Sequence, residues 1–135
     1  MIIHVPNKNT LIIEDFYLRC CVGKSGINSN KKEGDYSTPK GLFSLQKLYF
    51  RKDRVGIPIC KINKRLKENL HRKDNKYDYI ISISHNERKI PSKGSAIFIH
   101  LTDNYKPTAG CVALKKKDFE ILLKLIDKKT KIKIG

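Results

Sequence analysis

A mainly β fold, a β-sandwich with one covering α-helix near the C-terminus, is the class this sequence predicts, and three observations carry it. Short apolar or alternating segments recur along the chain, each closed by Asn, Asp, Gly or Lys turn residues. One stretch after Leu114 changes to helical spacing. The last apolar residues, Ile132 and Ile134, alternate with Lys131 and Lys133, the period of a strand with one buried face.

Taken in order, residues 1–5, 10–14, 17–22 and 42–50 are expected strands, separated by Asn-Lys, Glu-Asp and Gly/Asn/Lys turns. Residues 61–76 are polar and form the only expected long excursion. Residues 79–83 are a further apolar run, followed by Ser84, His85 and Asn86. The run 96–99 is apolar on both faces, as in a central covered strand, and His100 closes it. Turn residues at 103–107 lead to a second short apolar run, 111–114, which Cys111 opens. Phe119, Leu122, Leu123 and Ile126 then fall at i, i+3, i+4 and i+7, one stripe of a helix whose other face carries Lys124, Lys128 and Lys129. Residues 131–134 complete the chain as a terminal strand. With 135 residues and 39% hydrophobic content, the chain is expected to form one domain over 1–135 and to bury a core without disulfides or metals.

Composition narrows the function classes. Net charge is +16, from 29 basic and 13 acidic residues, and the lysines scatter over 31–32, 61–76 and 115–117. Such a field attracts polyanions at long range but does not choose among them. The aromatic residues are few and not interleaved with the lysines, so no dedicated nucleic-acid site is expected. Cys20 and Cys21 point to opposite faces of one strand and no Cys-x-x-Cys occurs, which argues for core thiols over a metal or disulfide framework. No run of about eighteen apolar residues exists, so no membrane span is expected.

The chemistry concentrates on His100 and Cys111. Neighbouring strands lie roughly 4.8 Å apart, so a histidine and a cysteine at their adjoining ends can meet. A cysteine attacks as its thiolate, and an adjacent imidazole takes the proton and stabilises the anion, the arrangement of acyl transfer. Gly110 lets the backbone turn tightly, so that the N–H groups of Gly110 and Cys111 can face an oxyanion. The plainer reading is a buried thiol and a histidine that satisfies the backbone. A zinc site of His85, His100 and Cys111 is a further alternative.

The wider pattern resembles the L,D-transpeptidase (YkuD-like) catalytic domain family. The resemblance is carried by Gly34, Asp35, Thr38, Pro39, Gly41 and Phe43 upstream, then Phe98, Ile99, His100 and Thr108, Gly110, Cys111, Val112 downstream, in the family's order. It runs from about Leu18 to the C-terminus, and 94–114 is its specific part. The resemblance implies a YkuD-like β-sandwich of mixed sheets. It also implies Cys111 as nucleophile on peptidoglycan stem peptides, His100 as general base, and a backbone carbonyl as the group orienting the imidazole. Many members carry a histidine where this chain has Ala109 and an arginine where it has Ala113, which points to altered substrate anchoring. His85, Asn86 and Thr108 are candidate substrate contacts, with His85 a stand-in for the missing histidine or a turn cap. Asp35 is expected to serve its own turn, with Thr38 the one residue of that block that structure alone does not explain.

The expected function is therefore a cysteine acyltransferase with a thioester intermediate, needing no cofactor, acting as a monomer. Water in place of the acceptor amine gives an L,D-carboxypeptidase or amidase. The competing class is a non-catalytic basic module that binds polyanions. The resemblance implies the cell envelope or periplasm, yet residues 1–8 show no signal peptide, which leaves a cytoplasmic location open.

Overall fold

The computed structural model describes residues 1–66, 75–85 and 97–135. Asn86, the start of the apolar run at Ala96, and positions 67–74 of the polar excursion lie outside the described residues.

The first three strands form an antiparallel meander: β1 (Ile2–Asn7), β2 (Thr10–Ile13) and β3 (Phe16–Arg19). Two-residue β4 (Ile27–Asn28) and β5 (Thr38–Pro39) pair in parallel. The ten-residue β6 (Gly41–Phe50) follows, then one turn of helix, α1 (Lys52–Val55), and β7 (Asn63–Leu66). β8 (Tyr79–Ile83), β9 (Phe98–Leu101), β10 (Val112–Leu114), α2 (Lys116–Leu125) and β11 (Lys131–Ile134) complete the fold. The expected class holds: a mainly β, mixed-sheet fold with a covering helix near the C-terminus.

The strands run in the order β10-β9-β8-β6-β11-β1-β2-β3, with β7 also on β6. β6 is the corner of this arrangement. Its first residues pair with β11, from Gly41 opposite Ile134 to Ser44 opposite Lys131, and its later ones with β8 and β7. One apolar interior results, because Ile3, Val5, Leu11 and Ile132 from one half and Leu48, Ile81, Ile99 and Leu114 from the other belong to a single cluster. The two far edges also meet: beyond β3, Cys21 and Ala113 exchange backbone bonds of 3.0 and 2.9 Å, which covers the open edge of β10.

α2 lies over this core through Phe119, Leu122 and Leu123, three members of the predicted stripe. The Phe119 ring stacks on Tyr79 with centroids 5.4 Å apart and planes 7° from parallel. Phe119 is fully buried, so Phe119→Ala is expected to cost about 3–5 kcal/mol of stability, a loss of transfer energy plus an unfilled cavity, measured by denaturant unfolding.

Two expectations need correction. The third predicted strand stops at Arg19 rather than reaching Val22, because the Cys20 N–H turns to Asn9 O and Cys21 leaves for β10. Part of the supposed excursion is β7, whose Asn-Lys-Arg sequence has no strand pattern; it is held by parallel pairing of Asn63 to Leu66 against Lys47 to Phe50. Charged side chains suit such a strand, since they discourage further edge pairing.

Candidate active site at the start of β10

β9 and β10 are parallel, with Val112 opposite Ile99, Ala113 opposite His100 and Leu114 opposite Leu101. Alternation then sorts the side chains: Ile99, Leu101, Val112 and Leu114 go to the core, and His100 and Ala113 to the other face. Cys111, one residue before β10, continues the outer parity and is level with Phe98. The predicted meeting of strand ends is thereby replaced by a diagonal. By register, Cys111 and His100 share one face, offset by two residues, a Cα separation of roughly 8 Å from strand spacing and rise.

The sulfur is half-buried. The Phe98 N–H donates to Cys111 Sγ at 3.4 Å, a contact that favours the anion. Burial is the largest influence on this thiol and pushes its pKa up, opposed by the Phe98 N–H and by the positive charges of Lys76 and Lys31. His100 is 2% exposed, and its Nδ1 lies 2.8 Å from the Leu101 carbonyl. An Nδ1–H donating to that oxygen leaves Nε2 as the basic nitrogen of the ring. Tyr77 meets the imidazole edge-on at 5.5 Å.

The turn before Cys111 is built from Thr108 and Gly110. Thr108 Oγ1 donates to Cys111 O at 2.6 Å and accepts from Gly110 N at 3.0 Å, so this hydroxyl braces the turn. Both bonds of this hydroxyl close the loop. The same contact commits the Gly110 N–H and leaves Cys111 N–H of the two oxyanion candidates. Gly110 has φ +146°, and a Cβ there would lie 2.8 Å from Ser37 O. Only glycine fits. Thr38, fully buried, donates to Gly110 O at 2.8 Å and accepts from Gly23 N at 2.8 Å, so the exception noted in the sequence is a strut under the nucleophile turn.

Asp35 closes its own loop as expected. Its carboxylate accepts from Lys32 N, Ser37 N and Ser37 Oγ at 2.7, 2.9 and 2.8 Å. These bonds, led by the Lys32 N–H, hold its carboxyl well below the usual range. Asp35 also takes a salt bridge from Lys31 Nζ at 3.0 Å. Lys31 is a functional candidate that the sequence does not single out, although its position four residues before Asp35 is a usable signal.

His85 lies just beyond the end of β8. In β8, Ile81 and Ile83 face the core while Ile80 and Ser82 share the side of His100 and Phe98. His85 continues the core parity and packs edge-on against Phe43 at 5.7 Å. The zinc alternative is not assembled, since among the described residues no three His, Cys, Asp or Glu side chains stand close enough to hold a metal. Burial, with some repulsion from Cys21, pushes Cys20 up to about 12, so it is an inert core thiol; Cys21 is also raised by burial and meets Lys106 O at 3.4 Å.

The loop between β9 and β10 walls a polar groove of about 330 Å³. His100, Thr108, Thr102, Asn75, Lys76 and Lys106 line it. The loop is fixed by Thr102 Oγ1, which accepts from Tyr105 N at 3.0 Å, and by Arg19 stacked 4.1 Å over the Tyr105 ring. No helix among the described residues is long and apolar enough to cross a membrane.

Residues 2–134 match the family model described as the L,D-transpeptidase catalytic domain, YkuD. No curated protein matches the chain significantly. Among solved structures, the helical cell shape determining protein Pgp2 from Campylobacter jejuni is similar at 19% identity and a TM-score of 0.66, over 99% of this chain and 46% of that one. Bd1075 from Bdellovibrio bacteriovorus is similar at 18% identity and a TM-score of 0.61, over 99% of this chain and 47% of that one. The chain thus spans somewhat under half the length of these two proteins, and at such identity the likeness is one of fold.

Proposed function

Because the chain belongs to the YkuD family of L,D-transpeptidase catalytic domains, we propose that it is a cysteine acyltransferase acting on peptidoglycan stem peptides in the cell envelope, with residues 1–135 as one catalytic domain. The observation that carries this reading is the placement of Cys111 and His100 on one face of the β9–β10 pair, with a backbone N–H aimed at the sulfur and a carbonyl orienting the imidazole.

In the first half-reaction, His100 Nε2 takes the proton of Cys111 Sγ as the sulfur attacks a stem-peptide carbonyl. The Cys111 N–H faces the oxyanion. The C–N bond then breaks, the leaving amine receives the proton from His100, and a thioester remains on Cys111. An acceptor amine attacks next and gives its proton to His100; the C–S bond breaks and the thiol is restored. The Leu101 carbonyl keeps the ring in place through both halves and stabilises its cationic form. Water as acceptor gives a carboxylic acid by the same steps, the alternative outcome of the same chemistry. Pgp2 of Campylobacter jejuni is a helical cell shape determining protein, and its likeness in fold is consistent with a role for this chain in cell shape through wall remodelling.

The test is mass spectrometry of the intact protein after incubation with a stem tetrapeptide or a carbapenem. One covalent adduct, mapped to the peptide containing Cys111, is expected. A protein that stays unlabelled while folded, and instead binds polyanions in a salt-sensitive way unaffected by Cys111→Ala, would make it a basic binding module.

A further inference from the structure

Lys31 is the one lysine in the described residues that the fold buries: its side chain is 5% exposed. Withdrawing an ammonium from water is costly unless a partner offsets it. The partner is Asp35, and Asp35 is itself fixed by three further donors from Lys32 and Ser37. The cation is therefore held in one place. That place is behind the nucleophile turn, because Lys31 Nζ lies 3.3 Å from where a Cβ of Gly110 would stand. The bare Cα of Gly110 is what admits the ammonium so close to the residue preceding Cys111. A loop ion pair serving only its own turn has no need to reach under a neighbouring strand.

We propose that Lys31 is a positioning residue for the nucleophile: its buried ammonium, tethered by Asp35 behind Gly110, sets a fixed positive charge beneath Cys111 and favours the thiolate over the thiol. Lys76, before β8, also acts on the sulfur; His100 stands on the same face of the β9–β10 pair, and the Asp35 carboxylate, 3.0 Å from Lys31 Nζ, offsets part of the Lys31 field. The direction of the Lys31 influence on Cys111 is downward. The inference deepens the cysteine acyltransferase reading and rests on Cys111 being its nucleophile, but its measurement does not need a stem peptide.

The experiment follows alkylation of Cys111 by iodoacetamide against pH, with the site read by peptide mass spectrometry and folding checked by circular dichroism. Lys31→Met should raise the pH midpoint of Cys111 alkylation by on the order of one unit, the scale of one charge at an effective dielectric of about 20. Lys31→Arg should restore it. Asp35→Asn keeps an amide oxygen to accept from Lys31 Nζ where Oδ1 now does but removes the opposing charge, and should lower the midpoint. The opposite signs of the two neutralising substitutions are what a merely structural pair would not produce. Unchanged midpoints in folded variants, or shifts of the same sign, overturn the proposal. If Lys31→Met does not fold, Asp35→Asn decides: a lowered midpoint supports it, and an unchanged or raised one overturns it. Absence of transfer activity alongside the two opposite shifts would count against the acyltransferase reading and leave this one standing.

Discussion

Cys111→Ala is expected to abolish acyl transfer and adduct formation outright, and His100→Gln to slow transfer by roughly 10²–10⁴-fold, the usual worth of a positioned general base. The size of the second effect follows from the environment of the sulfur. Burial pushes the Cys111 thiol up, so near neutral pH the unassisted residue is mostly protonated and needs a base to take its proton during attack. The sign of the pH dependence follows as well. In His100→Gln the residual rate should keep climbing as pH rises toward the raised thiol pKa, because hydroxide then does what the imidazole did. The wild type should level off at lower pH. Single-turnover acylation across a pH series measures both. A His100→Gln protein whose rate and profile match the wild type would remove His100 from the mechanism, and an active Cys111→Ala protein would remove the thioester.

Gly110→Ala should be nearly as damaging without touching a reacting atom. The position has φ +146° and its new methyl would meet Ser37 O at 2.8 Å, a backbone atom with no rotamer to escape through. Strain of this kind costs on the order of 1–3 kcal/mol. Relief requires the turn to move away from residues 37–38, which breaks the 2.8 Å bond from Thr38 Oγ1 to Gly110 O and displaces the Cys111 N–H. A drop in unfolding free energy together with a fall in Cys111 alkylation rate at fixed pH is the expected result. Ala at 110 with wild-type alkylation would mean that the turn is not what presents the sulfur.

Part of the fold and site is legible in the residues and part is not, and the division has a physical basis. The helical stripe through Phe119, Leu122 and Leu123 and the alternation at Ile132 and Ile134 are local patterns of burial, and both elements lie where the spacing puts them. β7 is invisible in the sequence because Asn63, Lys64 and Arg65 carry no burial pattern; backbone bonds to β6 hold that strand. Thr108, beside the glycine and cysteine, has the place of a substrate contact, and its hydroxyl bonds Cys111 O and Gly110 N, a closure that depends on how the loop returns. His85 stands at the end of an apolar run, which says nothing of the face to which its ring turns.

The sequence by itself determined the composition of the site: a histidine ending one apolar run, a cysteine behind an obligatory glycine before another, and an upstream block containing Thr38 and Asp35. These follow from short-range chemistry, where a residue type and its immediate neighbours decide what can happen. Tertiary structure alone decided the parallel register that sets Cys111 level with Phe98, the bridge from Cys21 to Ala113 that covers the edge of β10, and the passage of Lys31 beneath Gly110. Those depend on which backbone groups find partners far away along the chain, a choice made by the closing of the whole core and not by any local run of side chains.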